Sequence, residues 1–167
     1  IGYYKDPERT KSMFTSDGWM HTNDLAYVDK KGKYYIRGRL NNMILGPSGE
    51  NIYPEEIEKV INDINEVSES LVLERDGKLV ALVQLDENVL GYRLSNEAEI
   101  IAGLESTKKA ILEQVNKLVG KSSKISSVEV MEEPFEKTAT MKIRRFLYKK
   151  SNSPRKDKED AGKKAEE

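Results

Sequence analysis

Cysteine is absent from the 167 residues, and histidine occurs once, as His21. Without thiols there are no disulfides, thiolate metal sites or cysteine nucleophiles. One imidazole leaves no histidine cluster for a metal, and no serine is placed beside it for Ser-His-Asp chemistry. No apolar run approaches the roughly 18 residues that a membrane-crossing helix needs, and no signal-peptide pattern opens the chain. A dominant charge is missing too: 28 Lys+Arg face 29 Asp+Glu, a net charge of −1. No global field therefore points to nucleic acid or to a membrane surface as partner. The expected setting is cytoplasmic, with a peripheral membrane position left open for the full-length protein. A chain of this length can bury a core as one ordinary domain, but it is short for a complete two-substrate enzyme. It begins at Ile1 without an initiator Met and reads as the middle of a longer protein.

What is present is a succession of short elements. The first residues, "IGYYKDPERTKSMFTSDGWMHTND", carry turn-formers and aromatics without a sustained period. "LAYVD" and "KYYIRGR", separated by residues 30–32, predict a hairpin. "MILGPSGENIYPEEIEKVI" then stops an apolar run at a Gly-Pro-Ser-Gly turn, an ordinary strand-to-helix connection by residue type alone. Pro54 stands at a first helical position, Glu55, Glu56 and Glu58 suit the N-terminal end of the helix dipole, and Ile57, Val60, Ile61 and Ile64 make one apolar face. Asp76-Gly77 predicts a second hairpin inside "SESLVLERDGKLVALVQLD". Ser95 is a candidate cap for a second helix, with Ile100, Ile101, Leu104, Ile111, Val115 and Leu118 at helical spacing and Gly120 as its stop. A strand over 124–132, a break at Pro134 and a short helix in "MKIRRFLYKK" complete the order. From residue 151 the chain is nearly all small or charged, the composition of a disordered tail. The fold class is α+β: a small three-stranded sheet flanked by two helices, plus an N-terminal β-hairpin.

Five pieces stand in one order: "GYYKDPERT", "DGWMHTND", "YYIRGRLNNMI", "GPSGENIYPEEIE" and "EKTATMKIRRF". Together, over residues 1–148, they resemble the adenylate-forming superfamily of acyl-CoA synthetases, nonribosomal peptide adenylation domains and firefly-type luciferases. In that family a large N-terminal domain holds most of the ATP and acid pocket, and a small C-terminal lid rotates between two catalytic poses. The resemblance makes residues 1–40 the end of the large domain and the hairpin leading to the hinge, residues 41–150 the lid, and residues 151–167 a charged tail.

The same resemblance implies roles. Asp24 in "HTND" matches the aspartate that accepts hydrogen bonds from both ribose hydroxyls of ATP or AMP, chemistry suited to a group that only accepts. Arg39 in "IRGRLNN" matches the arginine that also touches the ribose. Asn41 falls at the hinge position, commonly Asp or Lys in relatives. The loop with Gly49 would lie against the pantetheine tunnel of CoA. Lys142 in "EKTATMKIRR" matches the lysine of "PKTxxGK", which stabilises negative charge as a carboxylate attacks the α-phosphorus. Departures from the pattern are Asn23 for Gly, Glu136 for Pro and Met141 for Gly. Asn51 stands where some relatives carry an arginine and receives no role; Lys137, Lys149 and Lys150 read as surface lysines.

The function implied is that of an AMP-forming acyl-CoA synthetase, closest to long-chain fatty acid ligases, the fragment being inactive alone. Its substrates would be ATP, a carboxylic acid and CoA, with Mg held mainly by the N-terminal domain, which is also the expected partner. Two other readings stand beside it: adenylation of an amino or aryl acid for a carrier protein, and a non-catalytic α+β interaction module.

Overall fold

A computed structural model of the chain describes residues 2–86 and 97–149. The candidate cap Ser95 and the tail from residue 151 lie outside the described residues. The first segment contains a helix that its sequence does not announce, α1 (Pro7–Ser12), capped by the Asp6 carboxylate, which accepts the Arg9 N–H at 3.0 Å. Six residues are too few to display a helical period.

The hairpin of β1 (Asp24–Val28) and β2 (Tyr34–Arg39) follows as predicted, antiparallel, with Asp24 opposite Arg39 and a bulge at Leu25/Ala26. Its turn is closed by the Asp29 carboxylate, which accepts the Lys31 and Lys33 N–H groups at 2.8 and 2.9 Å. Nearly every residue of this ribbon is exposed except Gly38. Tyr27 and Tyr35 stack at 5.0 Å across the strands.

A 3₁₀ turn at Leu40–Asn42 leads out of the hairpin. The Gly-Pro-Ser-Gly segment is more than a connection: β3 (Ile44–Leu45) and β4 (Asn51–Ile52) pair on either side of it, so the loop is the tip of a small hairpin. Gly46 N–H donates to the Glu50 carbonyl at 2.8 Å, Gly49 N–H donates to the Gly46 carbonyl at 2.9 Å, and Gly49 takes φ 82°. Strands of two residues carry no alternation, which is why the pattern hid them.

The body of the fold starts at α2 (Pro54–Asn62), whose Ile57 and Ile61 are buried. It packs on β5 (Val67–Arg75), joined to antiparallel β6 (Lys78–Leu85) through Asp76 (φ 52°) and Gly77 (φ 73°), the two positive dihedrals of the predicted turn. α3 (Glu97–Leu118) then crosses to β7 (Ser127–Val130), which runs parallel to β6, giving the sheet order β5-β6-β7. One sheet face packs with α2 and α3 in a core that includes Val72, Ala81, Val83, Ile111 and Val115. The expected apolar stripe of α3 is only partly used, because Ile100, Ile101 and Leu118 are exposed. A helix of 22 residues spans about 33 Å, whereas a strand of four residues spans about 13 Å, so the helix outruns the strand beside it.

The other sheet face, Leu71, Leu73, Val80 and Leu82, is covered by Phe135 with Met131, Ile143 and Tyr148. The short helix expected in "MKIRRFLYKK" is not found: among the described residues 141–149 there is only a 3₁₀ turn at Arg145–Leu147. Instead Lys137 and Ile143 form a bridge, and Met141 at φ 60° turns the chain back. A helix there would lift Ile143 and Tyr148 from the sheet that they bury.

Candidate functional site

Strand register delivers the first pair. Because Asp24 and Arg39 are partners across β1 and β2, the Arg39 Nε stands 2.9 Å from Asp24 Oδ1. A second guanidinium nitrogen of Arg39 donates to the Thr22 carbonyl at 3.0 Å. Asn23 between them takes φ 58°, and its carbonyl accepts the Leu40 N–H at 2.9 Å. The left-handed backbone expected where relatives have Gly is therefore kept by an Asn, the residue next best suited to it. The side chains of Arg39 and Asp24 remain 50% and 29% exposed. Such a pair contributes roughly 0–1 kcal/mol to folding, which leaves both groups available to a ligand's hydroxyls.

Asn41 sits inside the 3₁₀ turn that joins the hairpin to the rest of the chain. Beyond it, the Gly49 loop forms one wall of a groove of about 470 Å³, with Glu50, Lys78, Lys121, Ser122 and Lys124 among its lining. A β-carbon at Gly49 would meet no atom within 4 Å, so the position borders open space; the positive φ alone favours glycine. Asn51, the first residue of β4, is exposed.

Lys142 occupies a tight turn. Thr138 N–H donates to the Lys142 carbonyl at 2.8 Å, and Lys142 N–H donates to Thr138 Oγ1 at 3.2 Å. Its side chain is exposed, and no ion pair of the described residues includes it. Lys137, five residues earlier, is paired with Glu69 at 2.7 Å. Glu136, where relatives have Pro, uses the N–H that Pro lacks to donate to Tyr148 Oη at 2.8 Å. The structure thus brings Asp24 and Arg39 together, while no hydrogen bond or ion pair among the described residues joins them to Lys142 or to the Gly49 loop.

A cluster that the sequence reading missed lies beneath the lysine turn. Arg145 pairs with Glu58 and donates to the Val72 carbonyl at 3.2 Å; its guanidinium is 3.8 Å from Glu55 Oε1. Glu58 is 8% exposed and also accepts the Val72 N–H at 2.7 Å. Burial pushes its carboxyl above the ordinary value of 4.5, against the pull of Arg145 and the Val72 N–H. By sequence Glu55 and Glu58 read as helix-dipole partners, and Arg145 receives no role. The spacing of Glu58 within α2, on the Ile57/Ile61 side, is the signal that would have found it.

No family model matches the chain. Among curated proteins it is 38% identical over 104 residues to 2-succinylbenzoate–CoA ligase of Oceanobacillus iheyensis, covering 62% of this chain and 21% of that protein. It is 41% identical over 91 residues to a long-chain-fatty-acid–CoA ligase of Mycobacterium tuberculosis, covering 52% and 18%. Against a long-chain-fatty-acid–CoA ligase of Gallus gallus it is 30% identical over 129 residues, covering 77% and 16%. These alignments span 16–21% of the relatives' own length. Of solved structures, anthranilate CoA ligase in complex with anthranoyl-AMP superposes with a TM-score of 0.69 at 25% identity, over 89% of this chain and 26% of that one. ATP-bound MatB from Rhodopseudomonas palustris gives 0.65 and apo MatB 0.56, each at 25% identity over 89% and 27%. By sequence and by fold, the relatives of this chain are CoA ligases of the adenylate-forming, AMP-binding superfamily, and the part of them that it matches is the C-terminal domain.

Proposed function

We propose that the protein carrying this chain is an AMP-forming acid–CoA ligase and that the chain supplies its hinge and lid. In the first half-reaction a carboxylate oxygen bonds to the α-phosphorus of ATP and the bond to pyrophosphate breaks. In the second, the CoA thiol sulfur bonds to the acyl carbon, AMP leaves and the thiol proton is lost. Asp24 and Arg39 would hold the ribose through both steps, Asp24 as acceptor for two hydroxyls. Lys142 would place its ammonium against the negative charge that grows in the first step. The Gly49 loop would border the pantetheine arm of CoA in the second, and Lys121 and Lys124 in the same groove suit the phosphates at the other end of CoA.

The observation that carries this reading is how the residues divide around one turn. Asp24 and Arg39 precede the turn at Leu40–Asn42, whereas Gly49 and Lys142 follow it on separate exposed loops. A rotation at Asn41 would exchange one for the other over a nucleotide that stays put. Magnesium is assigned here to the nucleotide phosphates and the rest of the enzyme, as the resemblance implies. For the acid we favour a fatty acid, since relatives at 41% and 44% identity bear that name; the test therefore compares fatty with aryl acids.

The two half-reactions are measured separately in the full-length protein. Lys142→Ala should slow acyl-AMP formation by on the order of a hundredfold and leave thioester formation from supplied acyl-AMP nearly unchanged. Gly49→Leu should do the reverse. Equal loss in both steps for Lys142→Ala would overturn the assignment.

A further inference from the structure

The hairpin β1–β2 shares no sheet with the strands that follow it, and the first turn of α2 reaches across the junction. Arg37 Nε lies 3.4 Å from Glu56 Oε1, and its guanidinium stands 5.1 Å from the centre of the Tyr53 ring. Asn42 Nδ2, next to Asn41, donates to Glu55 Oε1 at 2.6 Å. Gly38 of β2 packs so closely that a β-carbon there would stand 2.5 Å from Glu55 Oε2. That oxygen is buried and makes no hydrogen bond among the described residues. From the opposite side Arg145, three residues beyond Lys142, reaches to 3.8 Å from Glu55 Oε1.

We propose that Glu55 is a positioning residue: a latch between hinge and lysine turn, whose carboxylate holds the hairpin through Asn42 and Gly38 and passes to Arg145 when the hinge turns. This rests on the lid reading above, although the latch itself stands on geometry. Exposed ion pairs such as Arg37–Glu56 contribute little, so the junction depends on the partly buried contacts of Glu55. The latched state binds one oxygen well and strips the other of water. Turning the hinge loses the Asn42 hydrogen bond but rehydrates Oε2 and lets the carboxylate close on Arg145. Two arrangements separated by only a few kcal/mol, with the latched one lower in the chain alone, are what a reversible switch requires. The ATP-bound and apo MatB structures match this chain unequally at the same coverage, with TM-scores of 0.65 and 0.56.

Because the chain has no native cysteine, Lys31→Cys on the hairpin turn and Lys117→Cys on α3 can carry spin labels across the junction. Pulsed dipolar spectroscopy on the whole chain should give one narrow distance. Glu55→Ala, or Gly38→Ala pressing on the same oxygen from the hairpin side, should broaden it roughly twofold or split it, with circular dichroism unchanged. If Glu55→Ala does not fold, Gly38→Ala alone decides. In the full-length protein Glu55→Ala should also change the ratio of the two half-reaction rates by about threefold or more, which a purely structural residue would not do. An unchanged distance distribution in the folded variants overturns the latch, whatever the kinetics; failure of the Lys142→Ala prediction would sink the ligase assignment and leave the distance result standing.

Discussion

Two residues hold left-handed backbone where the family pattern has glycine: Asn23 at φ 58° and Met141 at φ 60°. They are not equivalent. Asn accepts this region readily, whereas an unbranched apolar side chain does so at about 1 kcal/mol. Met141 gains little in return, since it is 71% exposed. Met141→Gly should therefore stabilise the folded chain by up to about 1 kcal/mol, the relief of strain being partly offset by the greater entropy of an unfolded glycine. Chemical denaturation of the two proteins measures it, and a loss of stability would mean that the methionine packs. The turn also shows why Lys142 needs a strained neighbour: its N–H and carbonyl are both engaged with Thr138, which fixes the backbone and leaves only the side chain to move.

At the scale of elements, the carboxylate of Glu58 joins α2, β5 and the segment after the lysine turn. Its partners are Arg145 and the Val72 N–H, with Glu55 as the neighbouring like charge. Burial raises its folded-state value above 4.5, so the folded protein binds this proton more tightly than the unfolded chain. The contribution is full below 4.5 and is lost as pH climbs through the raised value. Glu58→Gln keeps an acceptor for Val72 but removes the titrating carboxyl, and with it this pH dependence. The advantage of the wild type over this variant should be larger near pH ~4 than near pH ~7; an advantage that grows with pH would reverse the sign argued here. The β1–β2 and β5–β6 hairpins and both longer helices were legible because periodicity and turn chemistry are local. The Glu58–Arg145 pair was not, since it joins residues 87 positions apart that only the sheet brings together. The final segment was misread for the same reason: its helical composition lost to the need to cover Leu71, Leu73 and Phe135. Asp24, Arg39 and Lys142 are singled out only by resemblance to a family pattern, because an exposed acid or lysine carries no signal of its own.

For the molecule as a whole, core and candidate ligand contacts lie in different places. Ile57, Ile61, Val72, Ala81, Val83, Ile111 and Val115 are packed between sheet and helices, whereas β1 and β2 show Tyr34, Ile36 and Val28 to solvent. A lone two-stranded ribbon is marginal in water, and this one is tied to the body mainly by the first turn of α2. In the isolated chain, amide exchange should be slow in β5, β6 and the 111–115 stretch of α3 and faster by orders of magnitude in β1 and β2. The same sample should show no acid-dependent pyrophosphate exchange with ATP, because the phosphate-gripping loop and acid pocket expected of the large domain are not among these residues. Adding that domain should slow exchange in the hairpin while leaving β5 and β6 unchanged, since the ribbon has exposed apolar residues beside the Asp24–Arg39 pair. Equal protection of ribbon and sheet in the isolated chain would show that the hairpin belongs to the body, and the domain division at residue 40 would then have to move toward the N-terminus.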